Sequence, residues 1–237
     1  MYIVVGNDLH LTFCDYPIVR EFIKFIWDTQ PDVVVIAGDL LDFWALSKFD
    51  KTPKSADGVQ EELDAGQLFF KTIREHYKGR IIFITGNHEF RLRAFIARQS
   101  PELYGLRVLE LSSLLNLDVY NVELVDLPDN LSRFTDNFIE LDGVYIGHFN
   151  MARSASGATA KGLVDLHGGT ILQAHTHHGG VFYKPLITGE TLVGVENFCL
   201  CDINKTFMKN PKWTRGWSII KDGLITPMPY KGDLMKK

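Results

Sequence analysis

Five short apolar runs in the sequence each end in residues that bind metal ions or transfer protons. The motifs are D-L-H at 8–10, G-D-L-L-D at 38–42, G-N-H-E at 86–89, G-H at 147–148 and H-T-H at 175–177. Carboxylate, amide and imidazole groups together suit transition-metal ions, whereas Ca²⁺ and Mg²⁺ prefer oxygen ligands. Any one of these motifs is common in turns, but five of them after apolar runs predict a single metal-containing site.

The elements that must position these motifs form an α/β pattern in the N-terminal half. Residues 2–6, 32–37 and 80–85 are predicted to be buried strands because they are short, apolar and rich in β-branched residues. Residues 18–27 and 63–77 carry apolar side chains at helical spacing. Strand–helix–strand alternation predicts a mostly parallel sheet, and such sheets place their sites at the carboxyl ends of the strands.

After about residue 105 the pattern changes to strands with few helices between them, which predicts a second, more antiparallel sheet. The predicted strands are 119–125, 137–146, 170–174, 180–183, 191–195 and 217–221. Asp222-Gly223 is a hairpin turn signal. The segments 47–60 and 154–161 are predicted to be mobile loops, and neither is long enough to link domains. One domain over residues 1–237 is therefore expected.

Composition and charge exclude several classes of protein. The 237 residues are 46% hydrophobic, which supplies a core and excludes a disordered chain. The net charge, 25 − 29 = −4, argues against a protein that wraps nucleic acid. Cys14, Cys199 and Cys201 are too few for a disulfide framework and are interpreted as buried apolar residues. With no leader-like segment and no apolar run near the ~20 residues of a membrane helix, a cytoplasmic protein is expected.

The five motifs together resemble those of the calcineurin-like metallophosphoesterases, whose pattern is D-x-H, G-D-x-x-D, G-N-H-E/D, an isolated His and G-H-x-H. The sequence matches every block, except that Ala174 stands where the family usually has Gly. That methyl group is a small change if the backbone there avoids positive φ. Residues 147–177 also resemble a phage-associated branch of the family. The resemblance implies an α/β fold in which helices flank a two-sheet β-sandwich, giving four α/β/β/α layers with mixed sheets.

The resemblance also implies a pair of divalent ions as cofactor, with Mn²⁺ expected and Fe, Ni, Zn or Co as the other candidates. The implied ligands are Asp8, His10, Asp39 and His177 for one ion, and Asp39, Asn87, His148 and His175 for the other. Asp39 would then bridge the two ions. Their four positive charges exceed the charge of the two carboxylates, so the pair could hold a hydroxide and a phosphate oxygen together.

The implied reaction is hydrolysis of a phosphoester by metal-activated hydroxide, with His88 as the general acid. Asp42 is expected to orient a ligand or His88, and a helix N-cap is the alternative role. Arg91, Arg153 and Lys161 are candidate contacts of the substrate phosphate. A solvated helix face is the alternative for Arg91.

Other polar and aromatic residues near the motifs are interpreted as structural. Glu89 is expected to be a first-turn helix residue stabilised by the helix dipole, outside the site. Core packing is favoured over base stacking for the aromatic pair after Asp42. The residues interpreted in this structural way are His76, His167, His178, Phe43 and Trp44.

Three functions remain open at this stage. The favoured one is a phosphodiesterase acting on nucleotides or nucleic acid, and the alternatives are a phosphomonoesterase or protein phosphatase, and a catalytically inactive interaction module. Protein phosphatases of the family usually carry Arg-Gly after the second Asp of G-D-x-x-D, where this chain has Phe43-Trp44, and they lack the counterpart of His177. An inactive module should lack ligands, and the sequence lacks none. No membrane partner is expected, and the sequence predicts no oligomeric state.

Overall fold

A computed structural model describes residues 1–48, 58–128, 133–204 and 212–234. The strands are β1 Tyr2–Gly6, β2 Val33–Ala37, β3 Arg80–Ile84, β4 Val122–Val125, β5 Asn137–Leu141, β6 Val144–His148, β7 Thr170–Gln173, β8 Gly179–Pro185, β9 Thr191–Asn197, β10 Gly216–Lys221 and β11 Leu224–Pro229. The helices are α1 Tyr16–Thr29, α2 Val59–His76, α3 Phe90–Gln99, α4 Leu111–Leu114, α5 Ala158–His167 and α6 Lys231–Leu234. Among the helices of these described ranges, none is long and apolar enough to cross a bilayer.

The first sheet contains six strands in the order β11-β10-β1-β2-β3-β4. Strands β1 to β4 are parallel, and β10 and β11 add an antiparallel edge beside β1. Strand β2 is buried along its whole length, because a central strand covered on both faces needs apolar residues throughout. The N-terminal βαβ pattern is thereby confirmed, and the carboxyl ends of β1, β2 and β3 share one edge of the sheet.

The second sheet contains five strands in the order β5-β6-β7-β9-β8. Strands β6, β7 and β9 are parallel, whereas β5 and β8 pair antiparallel at the two edges. Both sheets are therefore mixed.

Alternation along the strands divides the core into layers. Ile3 and Val5 of β1 pack with Ile146 of β6 and Leu172 of β7 between the two sheets. Val4 faces the opposite side, where it joins the apolar stripes of α1 and α2. Helix α5 covers the outer face of the second sheet through Leu163 and Val164. Side chains at i and i+2 share a face of each strand, so each sheet packs against the other sheet on one face and against helices on the other. The predicted four-layer α/β/β/α arrangement is therefore confirmed.

Residues 137–146 are not one strand but a hairpin, β5–β6. Asp142 and Gly143 form its turn with φ of 54° and 76°, the left-handed values that a two-residue hairpin turn requires. The other predicted turn, Asp222-Gly223, joins β10 to β11 as expected. Residues 119–121 lie in turns before β4 rather than in the strand.

The two predicted loops are shorter than expected. Residues 158–161 form the first turn of α5, because the buried carboxylate of Glu196 accepts the N–H groups of Gly157, Thr159 and Ala160 at 3.0, 2.8 and 3.3 Å. These bonds satisfy donors that a helix N-terminus otherwise leaves unpaired. In the other loop, α2 already begins at Val59, and residues 49–57 lie outside the described residues.

We expect Phe70→Ala to destabilise the fold by about 3–5 kcal/mol, because its fully buried ring packs between α2 and the first sheet. Leu68→Ala on the same helix is the control, since Leu68 is 60% exposed, and it should change the free energy of unfolding by less than about 1 kcal/mol. Urea denaturation measures both. Equal losses for the two variants would contradict this assignment of the core.

Candidate metal centre

The loops that follow β1, β2, β3 and β7, together with the last residue of β6, bring the predicted ligands together at one place. Ligand atoms of Asp8, His10, Asp39 and His177 all lie within 4.8 Å of one another. A second group with the same property contains Asp39, His148 and His175. The amide oxygen of Asn87 joins the second group, at 2.9 Å from His148 Nε2. Both sheets therefore contribute to one cluster of side chains, which we call the metal cluster.

Three contacts in the metal cluster join atoms that a shared cation would bring together. The Nε2 atoms of His10 and His177 are 3.2 Å apart, and His148 Nε2 lies 3.2 Å from His175 Nδ1. Two imidazole nitrogens can be this close only if one holds a proton or both face a cation. Asp8 Oδ1 is buried with no hydrogen-bond partner, 3.4 Å from His177 Nε2. An unpaired buried carboxylate oxygen is costly, and a metal ion would satisfy it.

Asp39 occupies the position between the two groups. Its Oδ2 atom lies 3.5 Å from His148 Nε2, 3.8 Å from His88 Nε2 and 3.9 Å from His10 Nε2. Its Oδ1 atom accepts the backbone N–H of His88 at 3.0 Å. Burial alone would raise the pKa of Asp39, but the surrounding imidazoles outweigh it and hold this pKa well below the usual range. Within the described part of the chain, Asp39 is thus the carboxylate that belongs to both groups.

The backbone of the metal cluster is left-handed at most of its members. Positive φ occurs at Asp8 (49°), His10 (45°), Asp39 (50°), His175 (83°) and His177 (58°). Residues with a Cβ pay a conformational cost there, and such strain is typical of functional sites. Tight turns directly after β1, β2 and β7 aim successive polar side chains at the same point.

Two glycines make room for the cluster. Gly38 has φ 89°, and a Cβ there would lie 2.4 Å from His148 Nδ1. A Cβ on Gly86 would lie 2.2 Å from Asp39 Oδ1. Ala174, the one departure from the motif pattern, lies outside the left-handed region, so its methyl group causes no strain.

Glu89 holds two of these turns in place, a role that the sequence interpretation missed. Its buried carboxylate accepts the N–H groups of Asp39 at 3.0 Å, Leu41 at 2.9 Å and Gly86 at 2.7 Å. Burial and then the charge of Asp39 raise the pKa of Glu89 to about 8. The expectation of a first-turn helix residue outside the site is therefore wrong, because Glu89 is the N-cap residue of α3 and its side chain turns inward to the loop after β2.

Glu62 of α2 supports the same loop from the other side. Its Oε2 atom accepts the N–H groups of Asp42 and Phe43 at 2.7 and 2.6 Å. The sequence carried a signal, since Glu62 precedes Leu63 and lies on the buried stripe that continues through Gly66. An acid on the apolar face of a helix must find polar partners inside the protein. Burial raises the pKa of Glu62 to about 7.

Asp42 contacts two histidines, which is the geometry that one of its two predicted roles requires. Its Oδ2 atom lies 3.1 Å from His10 Nδ1, while its backbone oxygen lies 3.0 Å from His88 Nδ1. The alternative role, a helix N-cap, is wrong, because the short 3₁₀ turn Trp44–Leu46 is preceded by Phe43. Burial would raise the pKa of Asp42, but its hydrogen bonds with the two histidines lower it.

Arg91 of α3 completes this arrangement. Its guanidinium donates to the backbone oxygen of Asp42 at 2.8 Å and to Asp42 Oδ1 at 3.1 Å. The other nitrogen lies 2.9 Å from His88 Nε2. Because an arginine only donates, Nε2 accepts here, and the proton of a neutral His88 sits on Nδ1. Burial lowers the pKa of His88 more than the charge of Asp39 raises it.

Of the other two candidate substrate contacts, Lys161 lies on α5 and Arg153 lies in the loop before it. Lys161 pairs with Asp165 and lies 5.3 Å from the centre of the Phe182 ring. Arg153 donates through its side chain to the backbone of Ala158 at 3.3 Å. None of these contacts within the described residues joins Arg153 or Lys161 to the metal cluster, and their role in substrate binding stays a prediction.

Two further residues, both missed from the sequence, pack against His177. Cys201 Sγ lies 3.7 Å from His177 Nδ1, and the Trp213 ring packs edge-on at 4.2 Å. All three cysteines are buried as expected. Cys201 nevertheless acts as a polar partner of a candidate ligand rather than only as an apolar residue.

Comparison with known proteins agrees with this geometry. The family model of calcineurin-like phosphoesterases matches residues 1–190, and the chain belongs to that family. The chain is 29% identical over 191 residues to the Gene 54 protein of Mycobacterium phage L5, covering 79% of this chain and 72% of that protein. The Gene 54 protein of Mycobacterium phage D29 is 28% identical over 183 residues, with 76% and 70% covered.

Two solved structures are also similar to the chain. Wild-type Vps29 of Entamoeba histolytica, complexed with Zn²⁺, is 11% identical and has a TM-score of 0.45, with 95% of this chain and 89% of that chain covered. Yfce, a phosphoesterase from E. coli, is 9% identical and has a TM-score of 0.45, with 95% and 91% covered.

We expect Glu62→Gln to remove part of the pH dependence of stability. The pKa of Glu62 is about 7 in the folded protein against 4.5 when unfolded, so its contribution is full below pH 4.5 and is lost as the pH rises through 7. The free energy of unfolding of the metal-free protein, relative to that of the variant, should fall by about 3 kcal/mol between pH 4.5 and 8. Urea titrations across this range measure it, and parallel curves would contradict the assignment. Gln is the chosen substitution because its carbonyl oxygen can still accept the N–H groups of Asp42 and Phe43.

Proposed function

We propose that the chain is a dinuclear metal-dependent phosphodiesterase that hydrolyses nucleotide or nucleic-acid diesters. The observation that carries this proposal is the pair of ligand groups that share Asp39. Two ions held about 3.5–4 Å apart by a shared carboxylate suit displacement at phosphorus. We further propose that residues 1–237 act as one domain, since both sheets supply ligands. A cytoplasmic location fits the three cysteines, all described and none in a disulfide.

The donor set fits two divalent transition-metal ions, with Mn²⁺ as our first choice. Asp8, His10, Asp39 and His177 would hold one ion, and Asp39, Asn87, His148 and His175 the other. The unpaired Asp8 Oδ1 and the facing imidazole nitrogens are what such ions would satisfy. When bound, the ions would lower the pKa of water and neutralise phosphate charge.

His88 is the group we propose to protonate the leaving oxygen. Its Nε2 atom faces Asp39 Oδ2 at 3.8 Å, and its Nδ1–H is held by the backbone oxygen of Asp42. Arg91 fixes the ring from the Nε2 side. The ring thus presents Nε2 toward the metal cluster. To act as the general acid, His88 must carry a second proton on Nε2, which donates to the leaving oxygen in place of the contact that Nε2 accepts from Arg91.

Two sequence features favour a diester over a monoester substrate. Phe43-Trp44 replaces the Arg-Gly that the protein phosphatases of this family usually carry, and His177 completes the last motif. In the structure the backbone of Phe43 is held by Glu62, and the His177 ring packs on Trp213. Both positions therefore contact residues beside the proposed site.

The proposal is tested by comparing bis(p-nitrophenyl) phosphate with the mono-ester, each with added Mn²⁺. We expect kcat/KM for the diester to be at least about tenfold higher, and two ions per chain by metal analysis. Asp39→Ala should lose the ions and the activity, since it removes the shared ligand. The matched control is Asp64→Ala, an exposed acid on α2, which should retain both. A preference for the mono-ester would refute the diesterase, and an Asp39→Ala protein with two ions would refute the shared ligand.

We expect His88→Ala to retain both ions and to lose about 10²–10⁴-fold in kcat, because it removes the proposed acid without removing a ligand. His76→Ala, at the exposed end of α2, is the control and should match the wild type. The loss in kcat should be smaller for a substrate whose leaving group needs no proton, such as a nitrophenyl ester, than for an alkyl diester. Equal losses on the two substrates would show that His88 is not the acid.

A further inference from the structure

A cavity of about 300 Å³ lies directly beside the metal cluster, between α3 and residues 46–48. We call it the α3 groove. Its polar lining is Ser47, Lys48, Asn87, Arg91 and Arg98, and its apolar lining comes from Leu46, Phe90 and Ala94. Asn87 belongs to both the groove and the metal cluster, because its Oδ1 atom lies 2.9 Å from His148 Nε2.

The α3 groove is basic although the whole chain is acidic. Lys48, Arg91 and Arg98 contribute three positive charges, and the described residues that line it include no acid. The whole chain carries a net charge of −4. Arg91 is engaged by Asp42, whereas Lys48 and Arg98 are exposed. The groove therefore favours an anion that extends beyond the metal cluster.

The spacing of the cations follows from the helix. Arg91, Ala94 and Arg98 recur at i, i+3 and i+7 on α3, so they share one face. Seven residues span about 10 Å along an α-helix, and Arg91 is at the end that touches His88. Arg91 and Arg98 thus place positive charge along α3 from the metal cluster outward, over about the length of one or two nucleotides. The small side chain of Ala94 keeps the space between the two arginines open.

The lining also offers an apolar surface. The Phe90 ring is only half-buried, and Leu46 faces the same space. Grooves that bind single-stranded nucleic acid combine cations along the backbone with an aromatic side chain on which a base can stack. A volume of about 300 Å³ is at the lower end of small-ligand sites, which suits one nucleotide and is too small for a duplex.

We infer that the α3 groove binds the single-stranded segment of a nucleic-acid substrate next to the scissile phosphate. Lys48 and Arg98 contact the neighbouring phosphates, and a base packs on Phe90. This inference rests on the proposed diesterase and names its substrate as an oligonucleotide rather than a mononucleotide diester. Arg91 is a positioning residue at the junction, since its guanidinium holds Asp42 and His88.

The first test measures binding without catalysis. A fluorescein-labelled hexathymidylate is titrated with the protein in EDTA, and anisotropy gives Kd at several salt concentrations. Lys48→Ala combined with Arg98→Ala should raise Kd about tenfold at low salt. It should also reduce the slope of log Kd against log salt by about 1.4, which is about 0.7 for each lost phosphate contact. Lys78→Ala is the control, because Lys78 is an exposed cation just before β3, at the opposite edge of the sheet.

The second test measures specificity in the metal-loaded protein. The double variant should lower the ratio of kcat/KM for the hexanucleotide to kcat/KM for bis(p-nitrophenyl) phosphate by about tenfold, since only the longer substrate reaches the groove. Phe90→Leu should lower the same ratio, because it keeps an apolar side chain but removes the ring. A ratio equal to that of the wild type would overturn the inference.

The outcomes separate this inference from the proposed function. In one outcome the protein hydrolyses the small diester, but the wild type and the double variant bind hexathymidylate equally. That result would overturn the inferred role of the α3 groove and leave the diesterase intact. In another outcome the double variant loses hexathymidylate binding, but the protein hydrolyses no diester. That result would support binding at the α3 groove and refute the diesterase. Tighter binding of a duplex than of the single strand would also overturn the inference.

Discussion

The rest of the site depends on hydrogen bonds that backbone N–H groups donate to buried carboxylates. Glu89 and Glu62 together accept five such donors from residues 39–43 and Gly86. A loop with left-handed residues cannot use regular helix or strand hydrogen bonds for these donors, and each unpaired buried donor costs about 1–3 kcal/mol. The two acids therefore compensate for the strain that turns Asp39 toward the other candidate ligands.

Glu196 shows the same solution at the second sheet. It accepts the first N–H groups of α5 and lies 3.6 Å from His178. Glu62 lies in α2, Glu196 lies in β9 and Glu89 is the N-cap residue of α3, and each reaches a neighbouring loop or helix end. Rigid elements thus impose the shape of loops that could not hold it alone.

The acids that face the metal cluster differ from the supporting glutamates in how readily they are charged. Asp8 and Asp39 are the two carboxylates among four imidazoles and an amide, and Asp8 Oδ1 has no donor at all. Glu62 and Glu89 have raised pKa values, whereas Asp39 and Asp42 have lowered ones. The acids that support the loops are therefore easily neutral, while those that face the cluster are readily charged, which is the separation a cation site needs.

Local sequence determined much of this protein, because strand and helix periodicity and strand-end motifs are properties of neighbouring residues. The buried runs of β1, β2 and β3, the helices α1 and α2, and the family to which the five motifs belong could all be predicted. The hairpin at Asp142-Gly143 has an equally local signal, the Asp-Gly pair itself. By contrast, only the tertiary structure decided the partners of Glu89, Glu62 and Cys201. Their roles depend on loops up to about 50 residues away, and no spacing within the chain encodes which backbone N–H a side chain meets.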